Sequence, residues 1–509
     1  MSNDTKRDPN KVTEKPGDAR SQRPDSSAFR EFIGSQWGPR PAGPTAANES
    51  APYARRRREK VSALRPGERL VVPAGGLKVR NNDCDYRFRP HSAFSHLTGM
   101  GTDFLPDAVL VLEPQEQGHE AVLYFHPRAS RSSEEFYADS RYGELWVGVR
   151  PSLEEVETLT GIRCAHITGL QDALAKDAGA VQLRIVPEAD DAVAALVNQV
   201  RQAAGIELDA AAEQADAAFA RELSELRLTK DAWEATQMRL AVDATARGFD
   251  DVLRQLPRAV SHPRGERVIE GAFGARARED GNGCGYDTIA AAGNHANTLH
   301  WIANDGPVRE GDMVLIDAGV EVDSLYTADI TRTIPVSGKF SESQRRIYQA
   351  VLDAADAAFA KASEPGVRFR DLHAAAMEVI AARLEEWGLL PCSAVETLAP
   401  EGQYHRRWMA HGTSHHLGID VHDCALARRE MYLDAELEPG MCFTIEPGLY
   451  FRADDLAVPE ELRGQAVRIE DDIFIDPDGK PVNLSAAIPR TVADVEAWVQ
   501  RLRAEGRQS

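Results

Sequence analysis

The chain has 509 residues, more than one compact core organises, so its length predicts two domains with room for a third. Acidic residues outnumber basic ones by 80 to 59, which argues against a nucleic-acid or anionic-membrane partner. The six cysteines contain no C-x-x-C pair, fit neither a disulfide framework nor a zinc knuckle, and point to a reducing, cytoplasmic compartment.

In chain order, residues 1–45 are rich in Pro, Ser, Asp, Lys and Arg without apolar periodicity, and are expected to form a disordered polar tail, with order beginning near Phe29 at the earliest. The polar start lacks the apolar core of a signal peptide, and no run of about 18 apolar residues follows anywhere, so no membrane partner is expected. Arg55–Arg58, followed by Glu59, is the one local basic patch and reads as a solvated helix start. Short β-type runs recur next, at Arg69–Pro73, Ala108–Leu112 and Ala121–Phe125, each bounded by Gly, Pro or Asp. Ala-rich helical sequence such as Asp191–Asn198 follows, so residues 46–224 are expected to form one α/β domain.

A long helix opens the second half, because Met238, Val242, Phe249, Leu253 and Leu256 share one face of a 3.6-residue period. Residues 225–495 form the second expected domain. A capping box at Ser341-Glu-Ser-Gln344 starts another helix, which carries Ile347, Val351 and Phe359 inward. A third runs from Arg370 to Trp387 and stops at Gly388. Between them lie strand pairs: Met313–Gly319 with Ala328–Ile334, and Met441–Glu446 with Ala466–Glu470. The helix-then-strand-pair order occurs twice, which hints at an internal duplication.

His411, His415, His416 and His422 fall within twelve residues. The spacing of His411 and His415 matches a zinc-binding helix, but Gly412-Thr-Ser414 between them disfavours a helix and omits its glutamate base. In an extended segment His411 and His415 share a face while His416 points away, which makes His416 structural. Asp317, Asp329, Glu446 and Glu470 sit in or end apolar, β-branched runs, where an unpartnered anion costs several kcal/mol or takes up a proton. Arg332 and Arg468 are too few to balance four carboxylates. Two divalent ions would, and an oxygen-rich set with one imidazole and no sulfur favours manganese over zinc. A dinuclear centre activates a water and polarises a carbonyl, so the expected reaction class is metal-assisted hydrolysis.

The segments Leu315–Gly319, Ala328–Thr333, His411–His415, Thr444–Gly448 and Arg468–Asp472 resemble, in order and spacing, the five metal-ligand segments of the pita-bread metallopeptidases of family M24. Asp329-Ile-Thr-Arg-Thr333 and Arg468-Ile-Glu-Asp471 are most like the Xaa-Pro aminopeptidase (aminopeptidase P) and prolidase branch. Asp85–Gly99 and Gly143–Gly148 resemble motifs of the aminopeptidase P N-terminal domain. The implied fold is an α/β N-terminal domain followed by an α+β pita-bread (creatinase/aminopeptidase) catalytic domain.

The resemblance implies that Asp317, Asp329, His415, Glu446 and Glu470 hold two divalent ions, with Asp329 and Glu470 bridging and Glu446 also the general base. His411, His422 and His300 are the implied substrate-orienting histidines, and Tyr286 and Arg468 lie near the proline pocket. The implied activity is release of an N-terminal residue from peptides with proline in second position, by a homo-oligomer, dimer or tetramer. Alternatives are a prolidase acting on Xaa-Pro dipeptides and a non-catalytic pita-bread binding protein; retention of all five ligands disfavours the latter, as it does a metal-free creatinase-like amidinohydrolase. Asp317 and Asp329 have one more residue between them than the family spacing, so a longer turn or bulge must absorb it.

Overall fold

The computed structural model describes residues 24, 26–82, 84–102 and 105–507. The chain divides into two compact units between Ala220 and Arg221.

In the first unit, helix α1 (Ser27–Gly34) lies inside the stretch expected to be a disordered tail. Ser26 caps it, Phe29 meets Tyr137 edge-on at 5.3 Å, Trp37 meets Phe136 at 5.4 Å, and Arg40 pairs with Glu144. Regular structure therefore starts close to the earliest expected point, Phe29, and well before residue 45, because a few aromatic and ionic contacts hold an otherwise polar segment. Residues 1–23 and 25 of that tail lie outside the described residues. The basic patch also departs from expectation. Arg57 and Arg58 are buried in the helix Ala51–Leu64 and donate to the carbonyls of His96 and Leu97, so only half of the run is solvated.

The core of this unit is a five-stranded mixed sheet built from β1 (Arg69–Pro73), β2 (Val109–Pro114), β3 (His119–Phe125), β4 (Arg163–His166) and β5 (Leu183–Ile185), in the order β4-β3-β2-β1-β5. The runs foreseen at 69–73, 108–112 and 121–125 are its three central strands, and helix α2 (Asp191–Ala203) packs Val197 and Val200 into its core.

The second unit opens with α3 (Ala232–Ser261), whose buried face carries Met238, Val242, Phe249, Leu253 and Leu256, the five residues of the predicted stripe. It packs on α4 (Gly265–Asp280), and this pair is followed by an antiparallel sheet of β6 (Ile289–Ala292), β7 (Met313–Ala318) and β8 (Ile330–Pro335) in the order β8-β7-β6. A second helix pair, α5 (Glu342–Lys361) and α6 (Phe369–Glu386), precedes a second set of antiparallel strands. The capping box at Ser341 and Gln344 forms, Ile347 and Val351 are buried with Phe359 packed partly buried beside them, and Gly388 takes a left-handed φ of 69° after α6.

The second strand set corrects an expected pairing. Strand β9 (Cys442–Ile445) pairs with β12 (Asp471–Ile475), not with residues 466–470, and β10 (Gly448–Phe451) pairs with β11 (Gln465–Arg468). The two ladders share one register, Ile445 facing Asp471 and Gly448 facing Arg468, and break where Glu446, Pro447, Ile469 and Glu470 meet. Pro447 has no N–H to contribute to a ladder, so the interruption falls there and sets Glu446 opposite Glu470. The short β13 (Pro481–Asn483) closes the edge beside β12. The last helix, α7 (Val492–Gly506), runs past the expected end of the domain at 495, because Val495, Trp498, Val499 and Leu502 are buried on one face. Among the described residues no helix is long and apolar enough to cross a membrane.

Candidate active site

The acidic side chains reach the site from the ends of two antiparallel ladders. Asp317 is the fifth residue of β7 and faces Thr331 of β8, and Asp329 immediately precedes β8. Six consecutive residue pairs from Met313/Pro335 to Ala318/Ile330 leave no slip in this ladder. The extra residue lies instead in the connecting turn, where Glu321 bridges Thr327 and Leu325 adopts a φ of 74°. The alternation of faces is thereby kept, and both aspartates point to one side. Gly319 is required at the ladder's end, since a Cβ there would lie 1.7 Å from the Ala328 carbonyl oxygen.

His415 arrives on an extended segment alongside β9. Thr444 N donates to His415 O, Glu446 N to Thr413 O and Leu417 N to Cys442 O, each within 3.0 Å. This backbone pairing fixes the facing of successive side chains. His415 enters the cavity, and His416 is buried on the other side against Phe369, Tyr432 and Phe443.

All ten residues singled out from the sequence, Tyr286, His300, Asp317, Asp329, His411, His415, His422, Glu446, Arg468 and Glu470, line one cavity of about 520 Å³. Within it His415 Nε2 lies 3.2 Å from Asp329, 3.5 Å from Glu446 and 3.9 Å from Glu470. Ligand atoms of Asp329, His415 and Glu470 all fall within 4.8 Å of one another. Tyr286 Oη lies between Asp317 at 2.6 Å and Asp329 at 2.5 Å and donates its single proton to one of them at a time, and Arg468 donates to Asp317 at 2.5 Å. His411 Nε2 meets Tyr450 Oη at 2.7 Å. His300 and His422 are exposed, at the mouth. Arg332, the other arginine of these strands, is drawn away into a buried pair with Asp471.

Electrostatics follow from this crowding. Burial pushes the Glu470 carboxyl well above the usual carboxylate range, and the neighbouring Asp329, Glu446 and Asp317 add to the push. Glu446 is raised by burial, with His415 and Arg468 opposing. Burial disfavours the charged form of His415, yet the bond to Asp329 and the charge of Glu446 prevail and raise it to about 9. His411 is taken down to about 3 by burial, with Arg468 adding, so it stays neutral. Four carboxylates and one imidazole that attract positive charge this strongly suit hard divalent cations. The His415 Nδ1 bond to the His416 carbonyl, at 3.1 Å, leaves Nε2 facing the carboxylates, as a metal-ligating histidine requires.

Three polar neighbours were not foreseen. Thr331 Oγ1 donates to Glu470 at 2.7 Å, Tyr450 Oη joins His411 to Arg468, and buried Asp472 accepts the Asp329 N–H. Thr331 and Tyr450 were within reach of strand alternation, since they lie two residues from Asp329 and four from Glu446 on the same faces. Leu299, Ile302 and Val421 supply an apolar wall whose position depends on loops, and no local pattern marks them.

Residues 236–477 match the model of metallopeptidase family M24, and residues 53–185 match that of the aminopeptidase P N-terminal domain. The Xaa-Pro aminopeptidase 2 of Streptomyces coelicolor is 50% identical over 90% of this chain and 92% of its own. Among solved structures, Pseudomonas aeruginosa aminopeptidase PepP superposes with a TM-score of 0.75 at 30% identity, over 91% of this chain and 100% of that one. Aminopeptidase P of Escherichia coli gives 0.77 at 28% identity, over 91% and 100%.

Proposed function

The chain belongs to metallopeptidase family M24, and from that premise we propose that it is an Xaa-Pro aminopeptidase, hydrolysing the bond between the first residue of a peptide and a proline in second position. What carries the reading is the meeting of Asp317, Asp329, His415, Glu446 and Glu470 in one cavity with an apolar wall. In this reading those five residues hold two divalent ions, and the oxygen-rich donor set favours manganese. When bound, the ions supply Lewis acidity that activates the attacking water and polarises the scissile carbonyl.

The remaining chemistry belongs to the chain. Glu446 accepts the proton of the attacking water as general base. His411, held neutral with Nδ1–H on the Gly412 carbonyl and Nε2 on Tyr450 Oη, bonds substrate by exchanging one of these partners, and His300 and His422 offer hydrogen bonds at the mouth. Arg468 and Tyr286 are fixed by Asp317 and border the place where the proline ring leaves water. A bond before proline has no N–H, so recognition must come from a pocket for the ring and not from that donor. The free state of the six cysteines is in keeping with a cytoplasmic enzyme. A dimer or tetramer is carried over from the family resemblance, and sedimentation of the purified protein tests it.

The direct experiment compares release of the first residue from Ala-Pro-Ala and from Ala-Pro with manganese present. The tripeptide is expected to be cleaved faster, chelation to abolish cleavage, and added manganese to restore it. Faster cleavage of the dipeptide would replace this reading with a prolidase, and full activity in metal-free protein would remove the metal mechanism.

A further inference from the structure

Glu266, in the first turn of α4, is completely buried, and among the described residues its ion-pair partner is a histidine, His295, with no lysine or arginine. Its Oε1 accepts from Ala292 N and His295 Nδ1, both at 2.8 Å, and its Oε2 from Trp301 Nε1 at 3.0 Å and Gly306 N at 2.7 Å. Ala292 and Gly306 are the two ends of one loop, and His295 and Trp301 lie within it. One carboxylate therefore closes the loop at its base and pins it at two points along its length. The Glu266 backbone N–H adds a bond to the Gly306 carbonyl at 3.1 Å. Buried Asn304 ties the returning strand to β6, accepting from Ala290 N at 3.0 Å and donating to Thr288 O at 2.8 Å.

Packing around the carboxylate is tight. The His295 and Trp301 rings stack at 4.0 Å. A Cβ on Gly306 would stand 2.6 Å from His295 Cε1 and 2.8 Å from Glu266 Oε2, so only glycine allows the approach. The same loop delivers Leu299, His300 and Ile302 to the cavity. Two of these, His300 and Ile302, are exposed, and His300 has no side-chain hydrogen bond among the described residues, so its place depends on the loop that carries it.

We infer that Glu266 is a positioning residue, which through this loop holds His300 and the adjacent apolar wall in register with Asp317 on β7 and Glu446 just beyond β9. The inference rests on the peptidase reading for its consequence, but the clamp itself does not. The chemistry demands a carboxylate: each oxygen receives two N–H donors, and the amide nitrogen of a glutamine would meet donors with no lone pair to offer. Glu266→Gln is thus a disruptive change despite its nearly equal size.

Two measurements on the full-length, manganese-loaded chain test it. In the first, kcat and KM for Ala-Pro-Ala are compared in the parent, Glu266→Gln, His300→Ala and the double variant. Glu266→Gln should lower kcat/KM about 10- to 100-fold with bound metal unchanged, because misplacement of an orienting group by an ångström costs rate on that scale. The loss should largely vanish in the His300→Ala background, since both changes remove the same interaction. An equal loss in both backgrounds overturns the inference. The second measurement, amide hydrogen exchange without substrate, should show faster exchange across residues 293–306 in Glu266→Gln, and unchanged protection there also overturns it. A parent enzyme that fails to cleave Ala-Pro-Ala would sink the peptidase reading while exchange still decides the clamp. If Glu266→Gln does not fold, Trp301→Phe, which keeps the stacking and deletes one donor, carries both measurements with a smaller effect in the same direction.

Discussion

His415 and His416 are adjacent imidazoles with opposite surroundings. His415 faces three carboxylates within 3.9 Å, and its neighbour is fully buried, stacked on Phe369 at 4.5 Å and edge-on to Tyr432 at 4.6 Å. Among the described residues neither ring nitrogen of His416 makes a hydrogen bond of good geometry, the Cys442 carbonyl being the one weak acceptor nearby, and burial takes its pKa down to about 3, so it serves as a neutral aromatic spacer. His416→Ala should leave a cavity and cost about 2 to 4 kcal/mol in urea unfolding. His416→Phe keeps the stacking and removes two buried, poorly bonded nitrogens, so its stability should match or exceed the parent's, with turnover unchanged. His415→Ala, by contrast, should abolish turnover while unfolding stays cooperative. Loss of turnover in His416→Phe equal to that in His415→Ala would mean that the facing of this segment is misread.

At the scale of elements, the site depends on where two ladders stop. The β7/β8 ladder ends at Ala318 and Ile330, one position short of Gly319 and Asp329, and the β9/β12 ladder ends where Pro447 interrupts it. Residues just beyond such ends keep the strand's facing while their side chains are free to meet others. Gly319→Ala tests this dependence, because the new Cβ would fall on the Ala328 carbonyl and force the chain apart at the point where Asp329 begins. The change should lower stability by about 3 kcal/mol, as overpacked sites do, and reduce the metal bound per chain. Parent-like values for both would show that the ladder's end yields easily. Helices were readable beforehand, since the stripe of α3 and the capping box of α5 are local signals. The pairing of Met441–Glu446 with Ala466–Glu470 was misjudged because two apolar runs of similar length do not state their register, which the turn and Pro447 determine together.

For the molecule as a whole, the balance of charge is the dominant fact. A chain with a formal net charge of −21 gathers four carboxylates into one buried cavity beside a single arginine, Arg468, and bound cations should contribute directly to the stability of the folded state. Each site held at a hundred times its Kd adds about 2.7 kcal/mol. Chelation should therefore lower the melting temperature in a concentration-dependent way, and manganese should return it. A melting temperature indifferent to chelator and metal would place the carboxylates' compensation elsewhere.

Much of this protein was determined by the sequence alone: the helical stripes, the central strands of the first unit, and five short segments whose carboxylates and imidazoles stand in a recognisable order. These are local properties, carried by periodicity and by the chemistry of neighbouring side chains. What the sequence left open, tertiary structure decided. It set Glu446 opposite Glu470, drew Arg332 out of the site to Asp471, and hung the His300 loop from Glu266. Each of these joins residues through register, packing or a shared buried carboxylate, and such contacts are chosen by the burial of the whole core and not by any window of the chain.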